Sequence, residues 1–222
     1  MKELSEKQTD FVARTADFVQ KTLKNAEGGH DWFHTRRVYN NSVHIAQSEK
    51  VNLFIVALGA LLHDIADSKF YDGDETVGPR IAQDFLNQHK IEQRITDHVI
   101  EIIKNISFKG GNKAKDFDSP ELQVVQDADR LDAIGAIGIA RTFNYGGFKN
   151  RKLHDPEIKP QMNMDAETYK KSTAPTINHF YEKLLLLKDL MNTETGRKLA
   201  EERHNYMETF LDQFYKEWEG SR

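Results

Sequence analysis

Apolar positions recur along the chain at intervals of three and four, and those intervals predict helices. Leu4, Phe11, Ala16, Phe18, Val19 and Leu23 follow helical spacing over residues 4–25, with Ser5 and Gln8 spaced as a capping box. Gly28-Gly29 ends that helix, and Asp31 is placed to cap a second one running to about Lys50. A third helix, over about 52–67, is apolar almost all round and therefore buried. A polar loop, Tyr71–Gly78, leads to helices over about 79–89 and 91–105, and Ser107–Ser119 reads as a loop rich in Gly, Lys and Asp. Pro120 suits the first turn of a helix that runs through Leu131 to about Phe143. Asn144–Asp165 reads as irregular and is followed by a helix over about 166–191. A last helix from Thr193–Thr195 carries Leu199, Tyr206, Phe210, Leu211, Phe214 and Trp218 along one stripe. No alternating strand pattern competes, so the expectation is an all-α helical bundle formed as a single domain over 1–222.

Composition narrows the function. With 222 residues, 38% hydrophobic and 30% charged, the chain has an ordinary globular make-up and enough length for one sizeable core. Its net charge of -4 lacks the basic excess of a nucleic-acid binder. The apolar run Val51–Leu62 is too short to cross a bilayer, and the start MKELSEKQTDF has no apolar signal core. The expectation is a cytoplasmic protein with no nucleic-acid and no membrane partner. There is no cysteine, so any metal must be held by imidazole and carboxylate.

The dipeptide His-Asp occurs three times among nine histidines, and placement separates the three. His154-Asp155 precedes Pro156 and reads as a surface turn, and in His30-Asp31 the aspartate has a sufficient task as helix cap. His63-Asp64 instead closes the apolar run Ile55–Leu62. Burying a histidine beside an ionised carboxylate is costly without a compensating charge. A divalent cation supplies one, and a hydrogen-bonded neighbour on another helix is the alternative. His34 lies on the second helix with His30 and Arg37 on its face, and that face continues into Val38 and Ile45. Farther on, the run from Val124 to Gly135 sets Asp127, Asp129 and Asp132 among apolar and small residues, with Asp129, Asp132 and Ala133 on one face.

His34, then His63-Asp64 at the end of an apolar helix, then Asp129 in a later helix resembles the H…HD…D signature of the HD-domain phosphohydrolase superfamily. The segments Gly29–Val38, Leu61–Asp67 and Asp127–Ala133 resemble its small single-domain bacterial branch, which includes nucleotide pyrophosphohydrolases. The likeness runs from about Gly28 to the last helix. It implies an HD-type bundle with a metal-site core at about 28–140 and C-terminal helices at about 166–219 packed on it. It also implies that His34, His63, Asp64 and Asp129 hold one divalent ion, Mn²⁺ first, with Mg²⁺, Fe²⁺, Co²⁺, Ni²⁺ or Zn²⁺ also suited to the donors. Such an ion polarises phosphorus and lowers the pKa of a water. The implied reaction is hydrolysis of a phosphate ester or anhydride, a nucleoside or deoxynucleoside triphosphate foremost.

Asp67 stands nearly one helical turn beyond Asp64, within reach of the attacking water, and is the candidate proton-handling carboxylate. His30 and Asp132 are candidates to support the ligands from outside the coordination sphere. A phosphate tail requires cations, and Arg37, Lys109, Lys113, Lys149, Arg151 and Lys183 are the candidates. Tyr145, beside the basic segment, is a further substrate contact, with base stacking and core packing both open to the aromatics there. Between the His-Asp pair and Asp129 stand only His89 and His98, at a helix end and on a polar face, which favours one metal over two. Rival readings are a metal- and nucleotide-binding sensor, a phosphomonoesterase or cyclic-nucleotide phosphodiesterase, and a purely structural bundle. The partner expected is a small phosphorylated molecule, and a homodimer is allowed.

Overall fold

The computed structural model describes residues 2–221 apart from 25, 27–29, 67–70, 72–73, 107–116, 166–167 and 169–170. Among the described residues all regular structure is helical and no strand occurs, which bears out the all-α expectation. The chain divides into two compact units, Met1–Phe108 with Ala114–Asp129, and Lys109–Lys113 with Arg130–Arg222. No described helix is long and apolar enough to cross a membrane.

The first unit is built around one apolar helix. Helix α1 (Glu6–Thr22) starts at the expected capping box and buries Phe11, Val12, Thr15 and Val19. Helix α2 (Trp32–Ala46) is capped by Asp31, whose carboxylate accepts from the His34 N–H at 2.9 Å. Helix α3 (Leu53–Leu62) is buried at every position and packs against α1, α2 and α5 (Gln93–Asn105). Helix α4 (Val77–Gln88) lies on α5. The α3–α5 approach is close: a Cβ on Gly59 would stand 3.1 Å from Ile102. Helix α6 (Pro120–Asp132) opens with Ser119 Oγ accepting from the Leu122 N–H at 3.1 Å, and the boundary between the units falls inside this helix.

Helix α3 is shorter than the sequence pattern predicts. It stops at Leu62 because the His63 ring Nδ1–H donates to the Ala60 carbonyl at 2.8 Å. That side chain takes a carbonyl near the helix end, and the chain tightens with Ile65 N–H bonding Leu62 O.

The second unit departs more from expectation. The single helix predicted over about 120–143 is two helices, α6 and α7 (Gly135–Phe148). The corner needs Gly135, which has φ +74, and Gly138, where a Cβ would stand 2.2 Å from Ala133 O. Helix α7 also continues past Asn144, where an irregular segment was expected. The helix expected over about 166–191 is largely absent from the described part of that span. Thr176 and Ile177 give their N–H groups to Lys152 O and Leu153 O, away from any helical ladder, and Pro175 has none to give. Among the described residues of 172–191, α8 (Asn178–Glu182) and a 3-10 helix (Leu184–Leu190) form, separated by Lys183 at φ -144. Helix α9 (Glu194–Trp218) is capped by Thr193 and buries Ala200, His204, Met207 and Leu211. The stripe is thus rotated from the predicted one, leaving Tyr206 and Trp218 exposed.

Candidate metal centre

The start of α2, the end of α3 and the last turn of α6 bring the donors together inside the first unit. Asp31 fixes the start of α2, which sets His34 in the first turn of that helix, where it is 2% exposed. His63 stands at the C-terminal end of α3, with its Nδ1–H committed to Ala60 O. When the ring is neutral, Nε2 is therefore its acceptor nitrogen. That atom lies 3.3 Å from His34 Nε2. His34 Nε2 is also 3.5 Å from Asp129 Oδ1 on α6 and 4.0 Å from Asp64 Oδ2. The His63 ring packs edge-on to that of His34, with centroids 5.3 Å apart. Two groups of donors suited to a metal occur among the described residues: His34, His63 and Asp129, and His30, His34 and Asp64.

His30 holds Asp64 from the other side, with Nδ1 and Oδ2 2.6 Å apart. A carboxylate only accepts, so Nδ1 carries the proton. Burial pushes the Asp64 pKa up, but the His30 hydrogen bond and the charges of His63, His30 and His34 outweigh it and hold the carboxyl below its ordinary value. Asp64 is thus kept ionised in a site where His34 and His63 are both buried.

This arrangement suits a divalent ion. Two imidazole nitrogens facing each other at 3.3 Å need a proton or a cation between them. With metal–ligand bonds of about 2.0–2.2 Å, two ligands of one ion stand at most about 4.4 Å apart. The separations of 3.3, 3.5 and 4.0 Å all lie within that limit. Each of the two groups mixes imidazole nitrogen with carboxylate oxygen, the donor chemistry that Mn²⁺, Fe²⁺, Co²⁺, Ni²⁺ or Zn²⁺ accepts.

Of the other predicted residues, Arg37 lies on α2 in the first unit and is half-buried. Asp67, Lys109 and Lys113 lie outside the described residues. Tyr145, Lys149, Arg151, Lys183 and Asp132 belong to the second unit. There, Lys149 Nζ is 5.7 Å and Arg151 Cζ 5.6 Å from the Tyr145 ring centroid. Asp132 is buried and receives Arg141 Nη1 at 2.5 Å.

Sequence reading missed the Asp132–Arg141 pair and the neighbourhood of His179. In one continuous helix, Asp132 and Arg141 would face opposite ways at 100° per residue; the Gly135 corner brings them together. His179 is largely buried, and burial, with the charges of Lys183 and Arg151, lowers its pKa to about 4. His98, expected on a polar face, instead reaches Ser119 Oγ at 2.9 Å and Glu121 at 3.5 Å within the first unit.

Comparison with known proteins places this geometry. The HD domain family matches residues 32–134, a span that holds His34, His63, Asp64 and Asp129. The chain is 42% identical to the uncharacterized protein YpgQ of Bacillus subtilis (strain 168) across 99% of this chain and 97% of that one. It resembles the crystal structure of an HD-superfamily hydrolase from Bacillus thuringiensis with a TM-score of 0.77 and 43% identity, covering 96% of this chain and 98% of that one. It also resembles the crystal structure of Bacillus subtilis YpgQ in complex with ADP, with a TM-score of 0.75 and 36% identity over 95% and 96% of the two chains. Extended likeness at this identity, with the histidine and aspartate donors gathered inside the matched span, makes the chain a member of the HD-domain family.

Proposed function

We propose that this protein is a metal-dependent phosphohydrolase whose substrate is a nucleoside or deoxynucleoside triphosphate, with water as nucleophile and pyrophosphate as leaving group. The observation that carries the reading is the convergence of His34, His63 and Asp129 donor atoms, with Asp64 alongside, in one largely buried site. The ADP bound to YpgQ supports a nucleotide as the ligand class.

In this reading His34, His63, Asp64 and Asp129 hold the ion, Mn²⁺ first among the suited metals. A divalent ion bound there supplies a Lewis acid for the phosphoryl group and acidifies a water. The residues of the chain do the rest. The Ala60 carbonyl fixes the His63 tautomer so that Nε2 keeps its lone pair. His30 fixes one oxygen of Asp64 and favours its ionised form. Asp67 takes the proton from the attacking water. Arg37, Lys109, Lys113, Lys149, Arg151 and Lys183 meet the phosphate tail, with Tyr145 among the substrate contacts. Asp132 acts indirectly, anchoring Arg141 at the α6–α7 corner.

The test is a panel of nucleoside mono-, di- and triphosphates incubated with Mn²⁺, with products separated by chromatography. The expected products are pyrophosphate and a nucleoside monophosphate from a triphosphate. Release of neither phosphate nor pyrophosphate with any divalent ion would leave a sensor module as the better account.

A further inference from the structure

The second unit carries a cluster of cations organised on an aromatic ring. At the end of α7 the chain curls back: the Lys149 N–H bonds Tyr145 O, Asn150 takes φ +52, and the Arg151 N–H bonds Gly146 O at 2.8 Å. This brings the Lys149 amine and the Arg151 guanidinium to 5.7 and 5.6 Å from the Tyr145 ring centroid, and the amine to 5.1 Å from Phe148. Contacts of that length are cation–π contacts. Arg151 is held further by donating to Ser172 O at 2.5 Å. Among the described residues neither Lys149 nor Arg151 has a carboxylate partner. The last turn of a helix attracts cations, but that field is weak and screened where the groups are exposed. Nearby, His179 is largely buried, and burial first, with the charges of Lys183 and Arg151 adding to it, lowers its pKa to about 4.

We infer that Tyr145, Lys149 and Arg151 form an oligophosphate subsite that grips a phosphate chain without reading the base. This deepens, and rests on, the assignment of these residues as substrate contacts. Tyr145 serves to position cations, and cations placed in this way select several adjacent negative charges. The site therefore takes inorganic tripolyphosphate as readily as a nucleoside triphosphate, whereas a free nucleoside has nothing to bind there.

The experiment is calorimetric titration of the full chain, stripped of metal, with inorganic tripolyphosphate, and then with adenosine. Tripolyphosphate is expected to bind, and more weakly as salt rises. Lys149→Gln and Tyr145→Leu are each expected to weaken it several-fold, and Arg151→Gln on the order of tenfold. Binding should also raise the His179 pKa in part, read by imidazole proton shifts, because a bound polyanion offsets the smaller contribution of the Lys183 and Arg151 charges while that of burial remains. Because Arg151 also holds Ser172, the Lys149→Gln and Tyr145→Leu variants carry the conclusion if Arg151→Gln misfolds. Absence of tripolyphosphate binding, equal affinity in the Lys149→Gln and Tyr145→Leu variants, or tight adenosine binding lost with them overturns the subsite. Tripolyphosphate binding that follows the variants, in a protein that hydrolyses no nucleotide, overturns the hydrolase reading and leaves the subsite standing.

Discussion

Removing His30 tests how the centre is held. His30→Ala deletes the 2.6 Å hydrogen bond to Asp64 Oδ2. Bonds to a charged acceptor are worth about 1.5–3 kcal/mol, and partners that orient a ligand typically contribute about 10–100-fold in metal affinity. The His30 side chain is 38% exposed and that of Asp64 17%, so water replaces part of what is lost. The expected effect is therefore at the low end, about tenfold weaker Mn²⁺ binding. The measurement is competition between the protein and a fluorescent chelator, with circular dichroism to show that the helices persist. His63→Ala, measured alongside, should lose far more, because it deletes a donor. Parental affinity in His30→Ala would refute the positioning role. A loss as large as that of His63→Ala would show instead that His30 is itself a ligand, through the His30, His34 and Asp64 group.

Three further outcomes follow from other parts of the molecule. Asp67→Asn should keep metal content and lower kcat by about 10²–10⁴-fold with little change in KM, read by steady-state kinetics beside elemental analysis. Gly146→Ala would place a Cβ 2.2 Å from Thr176 Oγ1, an overpacking that typically costs about 1–3 kcal/mol and should appear as a lower Tm. His179 has a folded pKa of about 4 against an ordinary 6.5, so the unfolded chain binds the proton first as pH falls. Its contribution is complete above pH 6.5 and is lost between 6.5 and about 4, by at most about 3 kcal/mol; His179→Gln should flatten urea-derived stability over that window.

What the sequence revealed and what it hid have physical causes. Helices α1 and α2 announce themselves through Ser5 with Gln8 and through Asp31, because capping is local chemistry. The apolar run of α3 shows its burial directly. His34, His63, Asp64 and Asp129 were legible as a set only through their order and their helices; the structure gathers the donor atoms of His34, His63 and Asp129 in one group and those of His34 and Asp64, with His30, in another. The α6–α7 corner was hidden because Ala133-Ile134-Gly135 reads as a small-residue helix; only the left-handed φ of Gly135 turns it. The span before α9 was misread because Leu184–Leu187 suits a helix, while Thr176 and Ile177 are tied to Lys152 and Leu153, more than twenty residues earlier. Non-local bonds of that kind leave no periodic trace, and the Asp132–Arg141 pair was hidden for the same reason.

The most direct test of the central claim is hydrolysis of a nucleoside triphosphate by protein stripped with a chelator and then reloaded with Mn²⁺, measured in the parent and in His63→Ala. The account predicts no pyrophosphate release from stripped protein, restored release in the reloaded parent, and neither metal retention nor release in His63→Ala. Undiminished hydrolysis in the stripped parent, or metal retention with full turnover in His63→Ala, would contradict it.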